Sequence, residues 1–238
     1  LEGFRWLAFL RQHRLGGILA DDMGLGKTVQ VLALLAQAIA EHEQRADNTG
    51  FAPFLVVAPT SVVGNWAQEV ARFVPGAKVV TITESTSKSG KSIAELVQGA
   101  HLVLTSYALF RLDEDGYTEF GNHVPENAEK STSPHAGWGA LILDEAQFVK
   151  NTKTRAWKVA RALNAQVKLA ITGTPMENNL MELWALLAIV ADGLFPSARI
   201  FRDLYARPAE SGENPQVIER LRRRVRPLML RRTKDVVA

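Results

Sequence analysis

Six short apolar runs recur along the chain, and they constrain its fold more than any other feature. Most are continuously apolar rather than alternating, which is typical of strands that are buried on both faces of a sheet. Helical patterns separate most of them, and buried strands that alternate with helices indicate a parallel sheet with right-handed crossovers. We therefore predict an α/β fold whose ligands lie beyond the carboxyl ends of the strands. The runs are residues 17–20, 54–58, 78–82, 102–105, 140–143 and 167–171.

Three segments carry the clearest helical pattern. They follow the first, second and last apolar runs and cover residues 29–40, 61–73 and 180–190. Thr60 or Ser61 is a suitable N-cap for the second helix, because a hydroxyl oxygen there can accept from the N–H groups of the first turn.

Two further segments depart from this alternation. Residues 111–137 are polar, contain two prolines and show little periodicity, so we predict a long surface loop. The chain from Pro196 onward is expected to extend beyond the main sheet. The predicted division is therefore an α/β lobe over residues 1–195 and a helical extension over residues 196–238.

The composition excludes several classes of protein. The 238 residues include no cysteine, which rules out disulfides and cysteine-based zinc sites and fits a reducing compartment. The longest apolar stretch, near residues 31–40, is too short to cross a bilayer. Because the chain begins with leucine and not methionine, we expect it to be part of a longer protein.

Positive charge is concentrated near the carboxyl end. Residues 199–238 contain 11 Lys and Arg against 5 Asp and Glu, whereas the rest of the chain is slightly acidic. Such a cluster can contact a polyanion, or it can form a solvated helix face and contacts to another lobe. Both interpretations stay open. The cluster consists of Arg220, Arg222, Arg223, Arg224, Arg226, Arg231, Arg232 and Lys234.

The first apolar run leads into a glycine-rich turn that ends in Gly26, Lys27 and Thr28, and a helical pattern follows. Strand, glycine loop and helix in this order form the context of a phosphate-binding loop. Glycines let the backbone approach phosphates, and the helix N-terminus offers partial positive charge. In such loops the lysine reaches the β- and γ-phosphates, and the hydroxyl coordinates Mg²⁺. Asp21 replaces the first glycine of the general pattern, but nucleotide binding remains the first hypothesis.

Asp144 and Glu145 follow the apolar run 140–143. A phosphate-loop enzyme needs its second Mg²⁺ contact and its water-polarising base at this position. We expect Asp144 to contact the metal through water and Glu145 to orient or deprotonate the attacking water. The alternative is a helix start with acidic first-turn residues. That alternative does not explain why the pair follows a buried strand in a chain that already has the loop.

Thr172, Gly173 and Thr174 follow the last apolar run. Threonine and glycine at a strand end can bond to a phosphate region and move with it. Taken alone, the segment would be an ordinary strand-to-helix turn.

Together these segments resemble the ordered motifs of the Swi/Snf-type ATPases of helicase superfamily two. The resemblance covers almost the whole chain except residues 111–137. Motif III has the form Thr-Gly-Thr-Pro, whereas RNA helicases of the same superfamily typically carry Ser-Ala-Thr. The matching segments are residues 16–30 for motif I, 58–66 for motif Ia, 104–107 for motif Ib, 144–147 for motif II, 172–178 for motif III, and 228–234 for the segment leading toward a second lobe.

The resemblance implies the N-terminal RecA-like lobe of a P-loop NTPase, with a three-layer architecture around a mainly parallel sheet. Its cofactors would be ATP and Mg²⁺. The implied catalytic residues are Lys27, Asp144 and Glu145, and the implied Mg²⁺ ligands are Thr28 and Asp144. The implied ATP-binding residues are Asp22, Met23, Gly24, Leu25, Gly26, Lys27, Thr28 and Gln30.

The resemblance also implies contacts outside the nucleotide. Gln147, Thr172, Gly173 and Thr174 would couple the γ-phosphate to movement of the lobes. The candidates for contact with duplex DNA are Pro59, Thr60, Thr105, Ser106, Arg223 and Arg231. Trp66 lies in motif Ia, but its apolar helix spacing favours a place in the core over stacking on a base.

The chain departs from the family pattern at several points. Asp22 stands where the family usually has Glu, and Gln147 stands where many members have His. The upstream segment that reads adenine and the second lobe with its arginine fingers are not in this sequence. Because arginine fingers contribute roughly 10³–10⁵ in rate, we expect this chain alone to bind ATP–Mg²⁺ weakly and to hydrolyse it poorly.

The implied function is a motor lobe of a DNA-dependent ATPase that translocates on duplex DNA and remodels protein–DNA complexes. The partners would be duplex DNA, a second RecA-like lobe and a chromatin or transcription complex, with no membrane. The protein would be cytoplasmic or nucleoid-associated, or nuclear in a eukaryote. Two alternatives remain: a strand-separating helicase lobe, and an ATP-dependent interaction module of the transcription machinery that a protein partner stimulates instead of DNA.

Overall fold

One parallel sheet organises the chain. The computed structural model describes residues 1–45, 50–123, 137–173, 179–211 and 215–234. Within them, seven parallel strands lie in the order β3–β4–β2–β5–β6–β1–β7. Each of the six apolar runs contains a strand, so the predicted α/β sheet is confirmed. The strands are β1 (Gly17–Leu19), β2 (Phe54–Ala58), β3 (Val79–Thr81), β4 (Leu102–Ser106), β5 (Ala140–Leu143), β6 (Lys168–Ile171) and β7 (Met229–Leu230).

Helices connect the strands and cover both faces of the sheet. None of the described helices is long and apolar enough to cross a bilayer. Short 3₁₀ turns cover Ala146–Val149 and Arg226–Leu228, and a π-helical turn covers Arg202–Ala206. The helices are α1 (Glu2–Gln12), α2 (Lys27–Glu43), α3 (Thr60–Phe73), α4 (Thr86–Ser89), α5 (Ile93–Leu96), α6 (Tyr107–Leu112), α7 (Glu114–Asn122), α8 (Arg155–Ala162), α9 (Leu180–Val190), α10 (Ala198–Phe201), α11 (Arg207–Ser211) and α12 (Pro215–Val225).

The core consists of two apolar layers, one on each side of the sheet. Helices α1, α2 and α3 supply one layer, in which Leu10, Leu35 and Trp66 are buried. Helices α6 to α9 supply the other, and α9 is buried at every position from 183 to 190. A helix that is apolar all round must lie inside the protein. The result is the predicted three-layer arrangement.

The strand register brings the functional segments to one edge of the sheet. The Asp144 N–H donates to the carbonyl of Val57 on β2 over 2.9 Å, and the Thr172 N–H donates to the carbonyl of Leu19 on β1 over 3.0 Å. Because all strands are parallel, the residues after β1, β5 and β6 share the carboxyl edge.

The prediction of a loop over residues 111–137 is wrong for its first part, because α6 and α7 occupy residues 107–122. Tyr117 on α7 is fully buried, and its hydroxyl donates to Thr105 Oγ1 over 2.9 Å. The Trp138 indole donates to the Tyr117 carbonyl over 2.9 Å. These tertiary contacts stabilise a helix whose polar, glycine-containing sequence has little local preference for one. Residues 124–136 lie outside the described residues.

The predicted N-cap of α3 is also wrong. The helix begins at Thr60, the capping position is Pro59, and no side chain caps the first turn. The fixed φ of proline, here −56°, ends the extended segment one residue earlier than expected. Thr60 and Ser61 are therefore exposed residues of the first turn.

The segment after Pro196 does not lie wholly beyond the sheet, and the predicted helical extension is not confirmed. Met229 and Leu230 pair with Ile18 and Leu19 of β1, so the chain returns to the sheet as β7. Between these points, helical side chains such as Phe201 join the apolar layer around α9. The boundary after residue 195 stays a prediction.

Lys168, the first residue of β6, has a largely buried ammonium group. Its Nζ donates to the carbonyls of Ala160 over 3.1 Å and Arg161 over 2.7 Å, at the end of α8. A cation there satisfies the last carbonyls of the helix. Burial lowers the pKa of Lys168 from 10.5 to about 8, which nearby Asp192 opposes.

We expect Lys168 to make the free energy of unfolding rise between pH values of about 8 and 10.5. In this interval the unfolded chain still holds the proton that the folded chain has released, so stability increases with pH. The variant Lys168→Met should lack this part of the rise. Urea unfolding of both proteins across the interval measures the difference, and identical pH dependence would contradict a buried ammonium group.

Candidate nucleotide-binding site

The loop between β1 and α2 has the backbone geometry of a phosphate cradle. Gly24 and Gly26 have φ values of +88° and +69°, in the left-handed region that side chains disfavour. Gly26 is the capping position of α2, and no side chain caps the first turn of this 17-residue helix. The N–H groups and the positive end of the helix therefore lie at the carboxyl edge of the sheet.

Lys27 folds back across this loop. Its Nζ donates to the carbonyls of Asp21 over 2.6 Å and Asp22 over 3.1 Å. Burial lowers the pKa of Lys27, while the carboxylates of Asp21, Glu145, Asp144 and Asp22 favour its charged form. The ammonium is thus a half-buried cation among carboxylates from two strand ends.

Asp21 is fully buried and forms an ion pair with Arg232. The Arg232 backbone N–H donates to Asp21 Oδ1 over 2.9 Å, its Nε donates to the same oxygen over 3.2 Å, and its guanidinium also contacts Oδ2. Gln30 completes the cluster, because its Oε1 accepts from Arg232 over 2.9 Å. Its amide nitrogen donates to the Leu25 carbonyl over 3.0 Å. Gln30, predicted to bind ATP, therefore contacts the loop and this ion pair.

Backbone hydrogen bonds also join the loop to the segment after β7. The Ala20 N–H donates to the Leu230 carbonyl over 2.8 Å, and the Asp22 N–H donates to the Arg232 carbonyl over 3.0 Å. The Lys234 N–H donates to Asp22 Oδ2 over 3.2 Å. The glycine loop is thereby fixed along one side by the carboxyl-terminal segment.

Asp144 lies in a buried position at the end of β5. Its Oδ1 accepts from the Glu145 N–H over 2.9 Å, and its Oδ2 accepts from the Trp66 indole over 2.7 Å. Burial raises the pKa of Asp144, and these two donors oppose the rise. Both oxygens are thus held in fixed directions while the group remains close enough to Lys27 for a charge interaction.

Glu145 has φ +47° and ψ +56°, which is unusual for a residue other than glycine. Strained backbone of this kind is concentrated at functional sites. Gln147 donates its amide to Glu145 Oε2 over 2.8 Å, and the other amide atom, Oε1, is buried with no partner among the described residues. The predicted base and the predicted coupling residue are therefore in direct contact.

The segment after β6 approaches the same loop. Thr172 is buried, and a methyl group placed on Gly173 would lie 3.0 Å from Met23 Cγ and 3.7 Å from Lys27 Nζ. Three strand ends therefore converge on Lys27. Thr174, the third residue predicted for this segment, lies outside the described residues.

The remaining loop residues predicted to bind ATP surround the start of α2. Met23 is largely exposed, Asp22 and Leu25 are half-buried, and Thr28 is half-buried in the first turn. This set of groups fits a nucleotide phosphate with Mg²⁺: backbone N–H groups, one ammonium, one hydroxyl and an aspartate. Proteins usually hold Mg²⁺ through one or two carboxylates together with substrate phosphates and water. Thr28 and Asp144 are the residues that could hold the ion.

The prediction that Thr105 and Ser106 contact DNA does not fit the structure, because both are buried. The Thr105 hydroxyl oxygen accepts from Tyr117, and Ser106 Oγ accepts from the Leu109 N–H over 3.2 Å and so caps α6. These hydroxyls serve the fold.

The other DNA candidates lie nearer the surface. Thr60 is exposed, Pro59 and Arg231 are half-buried, and Arg223 is exposed beside Glu219 on α12, with 3.3 Å between Nε and Oε1. Trp66 is buried, so its predicted place in the core is confirmed.

Six members of the basic cluster fall into two groups. Arg232 is bound to Asp21, and the Arg224 guanidinium lies 4.7 Å from the Phe195 ring centre and donates to the Tyr205 hydroxyl over 3.1 Å. These two arginines have structural contacts. Four other arginines of the cluster lie exposed on α12 or in the turn that follows it: Arg220, Arg222, Arg223 and Arg226.

Sequence reasoning missed the Asp21–Arg232 pair and the Trp66–Asp144 hydrogen bond. A signal for the first was present, because Asp21 follows a buried strand inside a glycine loop, and a buried carboxylate needs a partner. No local signal selects Arg232 from its arginine neighbours, since the contact spans 211 positions.

Comparison with known proteins gives a consistent result. The family model described as the SNF2-related domain matches residues 1–238. The chain is 36% identical over 254 residues to the chromatin-remodeling ATPase INO80 of Cryptococcus neoformans, covering all of this chain and 13% of that protein. It is 33% identical over 248 residues to the TATA-binding protein-associated factor BTAF1 of Arabidopsis thaliana, covering 99% of this chain and 11% of that protein.

Bacterial and archaeal proteins are similar as well. The chain is 35% identical over 232 residues to the putative ATP-dependent helicase/translocase YwqA of Bacillus subtilis, covering 98% of this chain and 23% of that protein. Among solved structures, it resembles the Sulfolobus solfataricus SWI2/SNF2 ATPase core in complex with dsDNA, with a TM-score of 0.79 and 32% identity over 98% of this chain and 43% of that chain. The chain thus spans less than a quarter of these curated relatives.

We expect Arg232→Met to lower the free energy of unfolding by about 3–5 kcal/mol, because it leaves the buried Asp21 carboxylate unpaired. Adding Asp21→Asn to this variant should recover part of the loss, since no charge then stays buried. Chemical denaturation measures both effects. Arg223→Met is the matched control, and its exposed ion pair should contribute less than about 1 kcal/mol. Equal losses from Arg232→Met and Arg223→Met would contradict the assigned role of the buried pair.

Proposed function

We propose a function for this chain, which belongs to the SNF2-related domain family and is an N-terminal RecA-like lobe of the Swi/Snf type. The chain is the ATP-binding lobe of a DNA-dependent ATPase that translocates on duplex DNA and remodels protein–DNA complexes. The observation that carries the proposal is the convergence on Lys27 of three strand ends, which include Asp144 and Glu145.

The loop binds the nucleotide phosphates. Its N–H groups and the start of α2 supply partial positive charge, and Lys27 exchanges its two loop carbonyls for phosphate oxygens. Thr28 and Asp144 would hold Mg²⁺, which would neutralise charge on the phosphates. Binding of the phosphates therefore releases Lys27 from the carbonyls of Asp21 and Asp22.

Glu145 is the group that accepts a proton from the attacking water. Its left-handed backbone departs from the extended conformation of β5, and the Gln147 amide donates to one of its carboxylate oxygens. Gln147 thus orients the base, and Thr172 and Gly173 beside Lys27 respond to the state of the γ-phosphate. The same coupling role is proposed for Thr174.

Duplex DNA contacts the surface near the start of α3. Pro59 and the exposed Thr60 lie where backbone N–H groups of the first turn have no side-chain cap. Such groups suit phosphate contacts that position a protein without reading sequence. Arg223 and Arg231 are further candidates for contact with the DNA backbone.

A second RecA-like lobe completes the site in the whole protein. The relatives are several times longer than this chain, which supports a partner lobe in the same polypeptide. Without the arginine fingers of that lobe, this chain hydrolyses ATP poorly. The whole protein acts on chromatin or transcription complexes, and in a eukaryote it is nuclear.

We expect duplex DNA to stimulate ATP hydrolysis by the full-length protein. Lys27→Ala should lose nucleotide affinity and turnover together, because a phosphate ligand is removed. Glu145→Gln should retain ATP binding and lose about 10²–10⁴ in turnover, because it removes the general base. Steady-state hydrolysis and nucleotide titrations measure both. The exposed residues Lys158 and Glu119 provide matched controls as Lys158→Ala and Glu119→Gln. Wild-type turnover by Glu145→Gln, or stimulation by a protein partner instead of DNA, would contradict the proposal.

We expect the exposed arginines of α12 to contribute to DNA binding through charge alone. The logarithm of the DNA-binding constant falls linearly with the logarithm of the salt concentration. Replacing Arg222 and Arg223 with Ala should make this slope shallower by about 0.9 for each phosphate that an arginine no longer neutralises. Arg224 is left in place because it packs on Phe195. DNA titrations over a range of salt concentrations measure the slope, with the exposed Lys88 and Lys91 replaced in the control. An unchanged slope would contradict DNA contact by these arginines and favour the alternative, a solvated helix face with contacts to the second lobe.

A further inference from the structure

Two aromatic side chains from separate elements donate hydrogen bonds to Asp144. The Trp66 indole donates to Asp144 Oδ2 over 2.7 Å, and the Tyr107 hydroxyl donates to the Asp144 carbonyl over 2.7 Å. Both side chains are more than nine-tenths buried. One donor thus fixes the carboxylate of the candidate Mg²⁺ ligand, and the other fixes its backbone.

The choice of acceptor for Trp66 is unusual within this chain. All five tryptophans lie in the described residues, and the other four indoles donate to backbone carbonyls: Trp6 to Pro227, Trp138 to Tyr117, Trp157 to Ala185, and Trp184 to Phe195. A carbonyl is therefore sufficient to satisfy a buried indole in this fold. The bond to a carboxylate is not needed to place Trp66 in the core.

One of the two donors belongs to the helix at the proposed DNA surface. Trp66 lies on the buried face of α3, whose first turn exposes Thr60 and Ser61. Tyr107 begins α6 directly after β4. Its ring also stacks on Phe148, in the 3₁₀ turn after Glu145, with ring centres 5.2 Å apart and an angle of 7° between the planes.

Rigid packing allows a movement of α3 to reach the metal site. Large buried side chains have little freedom to move independently of their helix, because protein interiors are close-packed. A shift of α3 therefore moves the Trp66 indole, and the Asp144 carboxylate must follow it or lose a charge-assisted hydrogen bond. The Glu145 N–H, bound to the other carboxylate oxygen, transmits the same displacement to the base.

We propose that Trp66 and Tyr107 are positioning residues: Trp66 couples DNA contact at α3 to the geometry of Asp144 and Glu145, and Tyr107 holds the Asp144 backbone in place for that coupling. DNA bound at the first turn of α3 fixes the position of this helix, and Trp66 then holds Asp144 in the orientation that hydrolysis requires. The proposal rests on the proposed DNA-dependent ATPase function, and it assigns the stimulation by DNA to two specific hydrogen bonds.

The test uses the full-length protein with Trp66→Phe, which keeps an aromatic ring and removes the indole donor. The measured quantity is the ratio of ATPase turnover at saturating duplex DNA to turnover without DNA, together with the Mg²⁺ concentration for half-maximal rate. We expect the ratio to fall by about tenfold or more, since tenfold is close to the lower bound of the range for loss of a hydrogen bond to a charged group. The half-maximal Mg²⁺ concentration should rise, and the DNA dissociation constant should stay within about twofold.

Trp138→Phe is the matched control. Trp138 is equally buried and donates to a carbonyl over 2.9 Å, but it lies just before β5, at the opposite end of the strand from Asp144. The control should leave the stimulation ratio unchanged. If the control lowers the ratio as much as Trp66→Phe does, or if Trp66→Phe lowers both rates by one factor, the proposal is overturned and Trp66 is only a core residue.

Tyr107→Phe provides a second test that removes a single oxygen atom and retains the stack on Phe148. We expect the stimulation ratio to fall about threefold, because the hydrogen bond that it removes is to a neutral carbonyl. This variant decides the proposal if Trp66→Phe does not fold, and an unchanged ratio overturns it. Absence of DNA stimulation in the wild type would instead refute the proposed function, so the two failures are distinguishable.

Discussion

The buried ion pair between Asp21 and Arg232 is the interaction on which the candidate site depends. A fully buried carboxylate is costly unless it is paired, and Arg232 supplies its backbone N–H and two guanidinium nitrogens to Asp21. The pair fixes the glycine loop to the segment after β7, so that Gly24 and Gly26 can keep their left-handed conformations beside Lys27. The phosphate cradle is therefore built jointly by the two ends of the chain.

Asp144 is the second point on which several elements depend. Its backbone bonds to β2, its carboxylate bonds to Trp66 of α3, and its carbonyl accepts from Tyr107 of α6. Buried polar networks strengthen when every member has a partner and are costly when one member loses it. A residue held in this way transmits displacement from several directions, which suits the proposed function of an ATPase lobe whose hydrolysis responds to DNA.

The strands and the phosphate loop could be predicted from the sequence because their signals are local. A continuously apolar run predicts a buried strand, and glycines before Lys27 predict a left-handed turn. The helix α7 could not be predicted, because the burial of Tyr117 against Trp138 stabilises it and its own residues do not. The hydrogen bond between Thr105 and Tyr117 could not be predicted for the same reason: motif position does not reveal that the Thr105 hydroxyl already has a partner within the fold.

Residue type and local spacing were enough to establish the parallel α/β architecture, the glycine loop, the acidic pair after β5 and the family to which the chain belongs. These features depend on short stretches of chain, each a few turns or one strand long. Tertiary packing was needed to establish that Arg232 pairs with Asp21, that Met229 and Leu230 form an edge strand, and that Trp66 bonds to Asp144. The physical reason is that a charge-assisted hydrogen bond requires direction and distance, and three-dimensional packing sets both for residues that lie 78 and 211 positions apart.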